Sequence, residues 1–189
     1  MDKKTELELV EKAKKNIQAF NKLYDYYKAK VLGYCINRLS NIDIAEEITS
    51  DVFLSAVESI KDFDTKRNIR FGSWLYSVAH NKIIDYFRKK KALPLDEDYK
   101  SQISETQDLT KDLVQDEMHY KIAKILSLIK PRYQEIISLR YFAELENDEI
   151  AKILKINKNN VAVLIHRALK SFKKEFENTF PETEIFELF

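Results

Sequence analysis

Apolar residues recur at every third or fourth position along most of the chain, which is the spacing of one face of an α-helix. From residue 5 to residue 39 this spacing predicts a long amphipathic segment, which we interpret as two helices that meet near Gly33. The apolar positions of the segment are Val10, Ala13, Ile17, Phe20, Tyr24, Tyr27 and Val31. Such a stripe indicates the buried side of a helical domain.

A second amphipathic helix is predicted to begin at Asp43, after the break at Ser40 and Asn41. We expect Asp43 to cap it and Glu46, three residues on, to reach back to the cap. Its apolar stripe is Ile44, Ile48, Val52, Leu54 and Val57. Its opposite face carries Glu46, Glu47, Ser50 and Asp51. On pattern alone, a solvated acidic face is the simpler interpretation of these four residues.

A third helix, which begins near Gly72, pairs an apolar stripe with a polar face of mixed chemistry. The stripe consists of Phe71, Trp74, Leu75, Val78 and Ala79, and the polar face of Ser77, Asn81, Asp85 and Arg88. Aromatic rings beside cations suit single-stranded nucleic acid, because bases stack on rings while phosphates meet Lys and Arg. We expect Phe71 and Phe87 in the core. The pattern leaves Trp74 and Tyr76 open between core packing and base stacking.

Charge is balanced over the whole chain but unevenly distributed along it. The formal net charge is only +1, so the overall balance does not indicate nucleic-acid binding. Residues 43–60 hold five carboxylates and no Lys or Arg, whereas residues 82–91 hold five cations against Asp85. A helix that repels polyanions is thus followed by one that attracts them, which indicates two different partners.

The composition narrows the fold and the class of protein. With 189 residues, 44% of them apolar, and only two Gly and three Pro, the chain is predicted to be all-α with one or two domains. Cys35 is alone, which excludes an internal disulfide and fits a reducing cytosol. No apolar run approaches the roughly 20 residues that span a bilayer, and the N-terminus lacks a signal-peptide core, so we expect a cytoplasmic protein without a membrane partner.

Enzyme chemistry is not indicated. The three His residues are scattered, and the sequence has no Cys/His cluster, no Gly-rich phosphate loop and no nucleophile elbow. We therefore predict no catalytic residue, no metal site and no cofactor.

The middle of the chain changes character after the basic run. Pro94 is expected to stop the third helix, and residues 95–117 carry eight acidic residues against Lys100 and Lys111. Low apolar content with high net charge predicts a linker. We prefer an inert acidic spacer as its interpretation, over a segment whose acidic charge mimics a polyanion. Helical spacing of apolar residues returns from Leu109, so the domain boundary is predicted between residues 92 and 108.

The C-terminal part predicts a helix-turn-helix. Pro131 suits a first helical turn, and the apolar positions that follow are Ile136, Ile137, Leu139 and Phe142. Asn147 is expected to cap the next helix, which would bury Ile150, Ala151 and Leu154. A turn at residues 156–158 leads to a longer helix. Residues 155–174 hold six cations and no acid.

The second helix of this motif has the features of a recognition helix. Its N-terminal residues are expected at base edges, where Asn pairs with adenine and Lys donates to guanine or phosphate. These residues are Lys158, Asn159, Asn160 and Ala162. His166 and Arg167 lie further along and are expected to meet the DNA backbone or to pack. The tail after residue 178 mixes Glu with Phe, and we favour its docking on this domain over a frayed tail or a regulator contact.

Three stretches resemble a known family. Residues 45–56 and 71–91 are similar to region two of the sigma-seventy family of bacterial RNA polymerase sigma factors, and residues 131–170 to region four. The short chain resembles the extracytoplasmic-function (ECF) type, which keeps only these two regions. The resemblance implies four parts: region two at 1–91, the acidic linker at 92–117, a winged-helix-like helix-turn-helix of region four at 118–178, and the tail at 179–189.

The resemblance also implies functions for named residues. The core-polymerase contacts would be Glu46, Glu47, Ser50 and Asp51, on the β′ coiled-coil, with region four on the β flap. The contacts to the opened minus-ten strand would be Arg67, Arg70, Trp74, Ser77, Asn81, Asp85, Arg88 and Lys89. The contacts to the minus-thirty-five duplex would be Lys158, Asn159, Asn160, Ala162, His166 and Arg167.

The expected partners are therefore core RNA polymerase and promoter DNA, both duplex and single-stranded, with an anti-sigma factor left open. Lys155 stands where the family usually has Gly, and Ala162 to Leu164 stand where it usually has basic or hydroxyl residues. Two alternatives stay open at this point. One is a helix-turn-helix regulator that acts without polymerase, and the other is a sigma-like adaptor that binds polymerase without reading promoters.

Overall fold

The computed structural model describes residues 1–67, 69–92 and 117–183. Within these residues there are eight α-helices and no strand, so the all-α prediction is confirmed. The chain divides into two compact units, Met1–Lys91 and Ala92–Phe189. The predicted linker, the helix stop at Pro94 and the boundary between residues 92 and 108 lie almost wholly outside the described residues.

The first unit contains four helices. They are α1 (Lys3–Lys15), α2 (Phe20–Leu39), α3 (Ile42–Ser59) and α4 (Phe71–Ala92). A 3₁₀ turn at Ile17–Ala19 separates α1 from α2, and the 3₁₀ turns Ile60–Asp62 and Thr65–Arg67 lie between α3 and α4. The core is built largely from α2, α3 and α4, which place Leu23, Tyr34, Val52, Leu75 and Ile83 out of solvent.

The prediction of a break near Gly33 was wrong, because α2 continues through this residue. The break lies instead at Asn16, which ends α1. Its backbone is extended (φ −140°), and its side-chain oxygen accepts a hydrogen bond from Gln18 N at 3.0 Å. The Asn16 side chain offers a backbone donor an alternative to helical bonding, whereas a single glycine inside a helix is tolerated. Ile17, which follows the break, is 53% exposed and is not a core residue.

The cap of α3 also differs from the prediction. Asn41, and not Asp43, accepts the hydrogen bond from Ile44 N, at 2.9 Å. Asp43 lies in the first turn, where its charge faces the positive end of the helix dipole.

The buried stripes of α3 and α4 correct two further predictions. Leu54 is 59% exposed because the stripe of α3 runs through Ala45, Ile48, Val52 and Ala56. Phe87 is 40% exposed, because it lies beyond the buried part of α4. Among the described side chains of that helix, Ile83 is the last buried one.

The second unit contains α5 (Glu117–Leu128), α6 (Pro131–Ile137), α7 (Asn147–Leu154) and α8 (Lys158–Thr179). Pro131 is in the first turn of α6, as predicted, and a π-helical turn, Ser138–Phe142, follows α6. Residues 117–183 contain no strand, so the described part of this unit is a helix-turn-helix without a β-wing.

The start and the packing of α7 differ in detail from the prediction. Glu146 precedes the helix, and its backbone N–H donates to the side chain of Glu149 at 2.8 Å, so Asn147 is the first helical residue and not the cap. The helix buries Ile150 and Ile153, whereas Ala151 and Leu154 are half-buried. Ile150 and Ile153 are three positions apart and share the buried face, while Ala151 and Leu154 lie beside it, each one position further along the helix.

The end of the described chain packs against α5. The ring of Phe180 lies 5.5 Å from that of Phe176, and Lys121 Nζ lies 5.5 Å from the centre of the Phe180 ring. Lys121 Nζ also donates to Thr183 Oγ1 at 3.0 Å. The start of the tail therefore docks on its own unit, while residues 184–189, which carry most of the predicted apolar tail, lie outside the described residues.

Candidate functional site

The exposed face of α3 is acidic and also carries one exposed leucine. Glu46, Glu47, Ser50 and Asp51 are all exposed, and Leu54 follows them one turn later. Sequence reasoning missed Leu54 as a surface residue, although its spacing of i+4 from Ser50 places it on this face. Carboxylates around an exposed leucine suit a protein partner better than a nucleic acid, because the leucine offers apolar area and the charges repel phosphate.

An ion pair joins this acidic face to the next candidate surface. Asp51 Oδ2 lies 3.5 Å from Lys82 Nζ, which links α3 to α4. Both groups are partly exposed, so the pair adds little to stability. Its consequence is electrostatic, because part of the charge of Asp51 is already neutralised.

The outer face of α4 is polar and basic. Ser77 is half-buried, while Asn81, Asp85, Arg88 and Lys89 are exposed. Arg88 pairs with Asp85 at 3.0 Å. Ile84 (46% exposed) and Phe87 extend the same end of the helix with apolar surface, which the sequence did not indicate. Cations with accessible apolar groups form a surface that suits phosphates and bases together.

Of Trp74 and Tyr76, the two α4 residues considered for base stacking, Trp74 has solvent-accessible surface. Its ring packs at 5.5 Å from Phe63 and 5.3 Å from Phe71 and is half-buried. Phe71 is fully buried, as predicted. Tyr76 is 1% exposed, and its ring lies edge-on to that of Tyr34 at 5.5 Å. Tyr76 is therefore a core residue.

The loop before α4 contains two arginines in different surroundings. Arg67 is exposed and pairs with Asp64 at 3.2 Å. Arg70 is partly buried: its Nε lies 3.3 Å from the carboxylate of Glu6, and its Nη2 donates to Met1 O at 3.4 Å. Arg70 is therefore engaged with α1, whereas Arg67 faces solvent.

The helix-turn-helix presents α8 to solvent at its N-terminal end. Asn157 caps α8 by accepting from Asn159 N at 2.9 Å. All six residues predicted at the duplex are exposed: Lys158, Asn159, Asn160, Ala162, His166 and Arg167. Lys158 Nζ lies 2.7 Å from Asp148 at the start of α7, so its charge is shared within the motif. Val163 is 49% exposed on the same helix and was missed as a surface residue.

Two groups with a raised pKa lie in the core and not on these surfaces. Burial raises the pKa of the Cys35 thiol to about 11, so the thiol stays protonated at neutral pH. Burial, with the neighbouring Glu6 carboxylate, also raises the pKa of Tyr27 above its ordinary value. Among the described residues, no group of His, Cys, Asp or Glu has the arrangement of a metal site. No helix in that part of the chain has the length and hydropathy needed to cross a membrane.

Comparison with known proteins identifies the family. The family model described as Sigma-70 region 2 matches residues 23–93, and that described as Sigma-70, region 4 matches residues 119–172. The ECF RNA polymerase sigma factor SigW of Bacillus subtilis (strain 168) is 31% identical over 185 residues, which cover 89% of this chain and 95% of the relative. This chain belongs to the ECF sigma factors.

Other relatives and solved structures agree with this assignment. The RNA polymerase sigma factor SigV of Bacillus subtilis (strain 168) is 32% identical over 149 residues, covering 77% of this sigma factor and 81% of the relative. The structure of CnrH in complex with the cytosolic domain of CnrY matches with a TM-score of 0.67 at 18% identity, over 92% of this chain and 97% of that one. The sigma factor RpoE from Bartonella quintana, solved with the anti-sigma factor NepR, matches with a TM-score of 0.65 at 16% identity, over 84% and 96%. At these identities the solved structures show a shared fold.

Proposed function

We propose that this sigma factor binds core RNA polymerase through the exposed face of α3 and directs initiation at promoters through α4 and α8. The observation that carries the proposal is the separation of charge within the first unit. Exposed carboxylates surround Leu54 on α3, while exposed cations accompany Trp74 on the neighbouring α4. One surface suits a protein and the other a polyanion, as a factor that joins polymerase to DNA requires.

The opened minus-ten strand is proposed to lie along α4. Trp74 would stack on a base, and Ser77 and Asn81 would donate to base edges or to the backbone. Arg67, Arg88 and Lys89 would meet phosphates, with Asp85 holding Arg88 in place at 3.0 Å. Arg70 is assigned a different task, because its guanidinium is already bound to Glu6.

The minus-thirty-five duplex is proposed to receive α8 in its major groove. Asn159 and Asn160 are exposed at the first turn, where an amide pairs with adenine through two hydrogen bonds. Ala162 lies on the exposed side of the following turn and offers a methyl group. Lys158, His166 and Arg167 would fix the helix on the phosphate backbone.

The sigma factor is proposed to work in the cytoplasm, without a cofactor and without catalysing a reaction of its own. Polymerase carries out the chemistry, while the sigma factor supplies binding energy and positioning. An anti-sigma factor is the class of regulator that we propose for it. The support is the likeness in fold to RpoE, which was solved with NepR.

Mixing with purified core RNA polymerase, followed by gel filtration, tests the polymerase contact. Glu47→Lys is the more informative variant, because reversing Asp51 would also disturb its pair with Lys82. Asp25→Lys makes the same charge reversal at an exposed site on α2 and is the matched control. We expect wild type and Asp25→Lys to co-elute with core, and Glu47→Lys to lose co-elution.

Two results would count against the proposal. Co-elution of Glu47→Lys at the wild-type level would show that the face of α3 is not the polymerase contact. Failure of the wild-type protein to co-elute would favour a helix-turn-helix regulator that acts without polymerase.

A further inference from the structure

A buried carboxylate in α1 joins three separate parts of the first unit. Glu6 is 0% exposed, and its carboxylate accepts hydrogen bonds from Tyr27 Oη at 2.7 Å and from Gly72 N at 2.5 Å. Arg70 Nε adds a charged donor at 3.3 Å. Burying a carboxylate is costly unless its oxygens are paired, and here the donors come from α2, from the start of α4 and from the loop before it.

The shape of the backbone at Gly72 makes this arrangement possible. A Cβ atom at residue 72 would lie 2.5 Å from Tyr27 Oη, which is closer than a Cβ approaches an oxygen to which it is not bonded. Glycine therefore lets the first turn of α4 reach the Tyr27 hydroxyl and the Glu6 carboxylate together. The carboxylate also lies at the positive end of the α4 dipole, which favours a negative charge there.

A second attachment holds the other end of the same loop. Thr65 Oγ1 donates to the carboxylate of Glu11, one and a half turns further along α1, at 2.5 Å. The loop between Phe63 and Gly72 is thus fixed to α1 near both of its ends. Arg67 lies between the two attachments, and Trp74 packs at 5.5 Å on the Phe63 ring.

We propose that Glu6 is a positioning residue for capture of the opened promoter strand. It fixes Arg70 and the start of α4, so that Arg67 and Trp74 already stand in their binding positions when the strand arrives. Preformed geometry improves affinity because the loop need not be ordered during binding. The inference rests on the proposed contact between α4 and the minus-ten strand. It assigns Arg70 to the support of that surface, through Glu6, and not to the surface itself.

The test uses the full chain and its single tryptophan, Trp74, as the reporter. The probe is a single-stranded DNA dodecamer that wild-type protein selects from a random pool. Its affinity is measured by Trp74 fluorescence for wild type, Glu6→Gln and Glu6→Ala. Glu8→Gln, at an exposed position of the same helix, is the matched control. Quenching of Trp74 by acrylamide in the free proteins reports how well the site is ordered.

We expect Glu6→Ala to bind the probe about tenfold more weakly than wild type, since the loop must then be ordered on binding. Glu6→Gln keeps one acceptor oxygen and should lose about threefold, while Glu8→Gln should bind like wild type. Acrylamide should quench Trp74 more strongly in Glu6→Ala, and co-elution with core polymerase should be unchanged in all variants.

Wild-type affinity of folded Glu6→Ala and Glu6→Gln would overturn the positioning role. Parallel loss of probe binding and polymerase binding would also overturn it, because a general loss of structure would then explain both. If wild-type protein selects no strand from the pool, the proposed strand contact of α4 fails, and the role of Glu6 fails with it.

Discussion

Val163 places an accessible apolar side chain on the helix that we assign to the major groove. Together with the exposed Ala162, it gives α8 methyl groups where a basic side chain would otherwise donate to guanine. The methyl group of thymine is the apolar feature of the major groove. At the scale of single residues, we therefore expect α8 to sense thymine methyl groups.

Replacing the thymines of a bound minus-thirty-five duplex with deoxyuridine tests this expectation. Each contacted methyl that is removed should weaken wild-type binding about fourfold, the equivalent of one buried methyl group. Val163→Ser should bind the two duplexes more equally. Equal affinity of the wild-type protein for the thymine and uracil duplexes, in a competition assay, would contradict the prediction.

The buried thiol of Cys35 and the buried phenol of Tyr27 lead to a second prediction. The pKa of Cys35 is raised from its ordinary value of 9.0 to about 11, and that of Tyr27 is raised as well. At high pH the unfolded state therefore loses protons before the folded state does. Stability from these neutral groups is fully present below pH 9 and falls as the pH rises from 9 towards 11.

Urea unfolding at several pH values measures this effect. The urea concentration at the unfolding midpoint should decrease as the pH is raised from 9 to 11. Cys35→Ala should show a smaller decrease over the same pH range, because only the contribution of Tyr27 remains. A midpoint that rises over this range would show that the acids are not held neutral by burial.

The sequence predicted which side chains of the polar faces are exposed, but it did not predict which residues cap the helices. Asn41 and Asp43 are both good capping residues, and which of them caps depends on where the chain leaves the preceding helix. Arg70 shows a second kind of failure. Its partner Glu6 lies 64 positions away, and no local pattern links them.

Among the helices and turns, the turn between α7 and α8 is unusual because a lysine occupies its left-handed position. Lys155 ends α7 in the left-handed conformation, with φ 53°, where glycine is the favoured residue. A side chain costs roughly 1 kcal/mol in this conformation. The glycine that the resemblance led us to expect is thus absent from a position whose backbone geometry favours it.

Lys155→Gly should therefore stabilise the protein by about 1 kcal/mol. Lys152→Gly, at an exposed position inside α7, is the control and should destabilise it by about as much. The free energy of unfolding is read from circular dichroism in urea. A less stable Lys155→Gly would mean that the lysine side chain makes a contribution larger than the strain.

Helix boundaries could be predicted only where the apolar pattern itself is interrupted. Apolar residues continue at helical spacing through Ala13, Ile17 and Phe20, so periodicity alone could not reveal the break at Asn16. The helix-turn-helix was predicted more closely, because its polar turn interrupts the apolar pattern between α7 and α8.

At the scale of the whole molecule, the uneven distribution of charge carried the functional interpretation. Long motifs in both regions allowed the family to be recognised from the sequence, and the comparisons confirm it. The interior support of the proposed DNA surface could not be predicted, since it depends on contacts between α1 and a loop near residue 70. Such contacts follow from the fold and not from spacing.

Initiation at defined promoters is the central claim, and transcription of genomic DNA in vitro tests it most directly. Core RNA polymerase is incubated with genomic DNA, alone or with wild-type or Glu47→Lys protein, and the 5′ ends of the RNA are sequenced. We predict that wild-type protein produces a small set of new start sites, each preceded by the same two short elements, and that Glu47→Lys does not. Start sites with wild-type protein that match those of core alone would contradict the account.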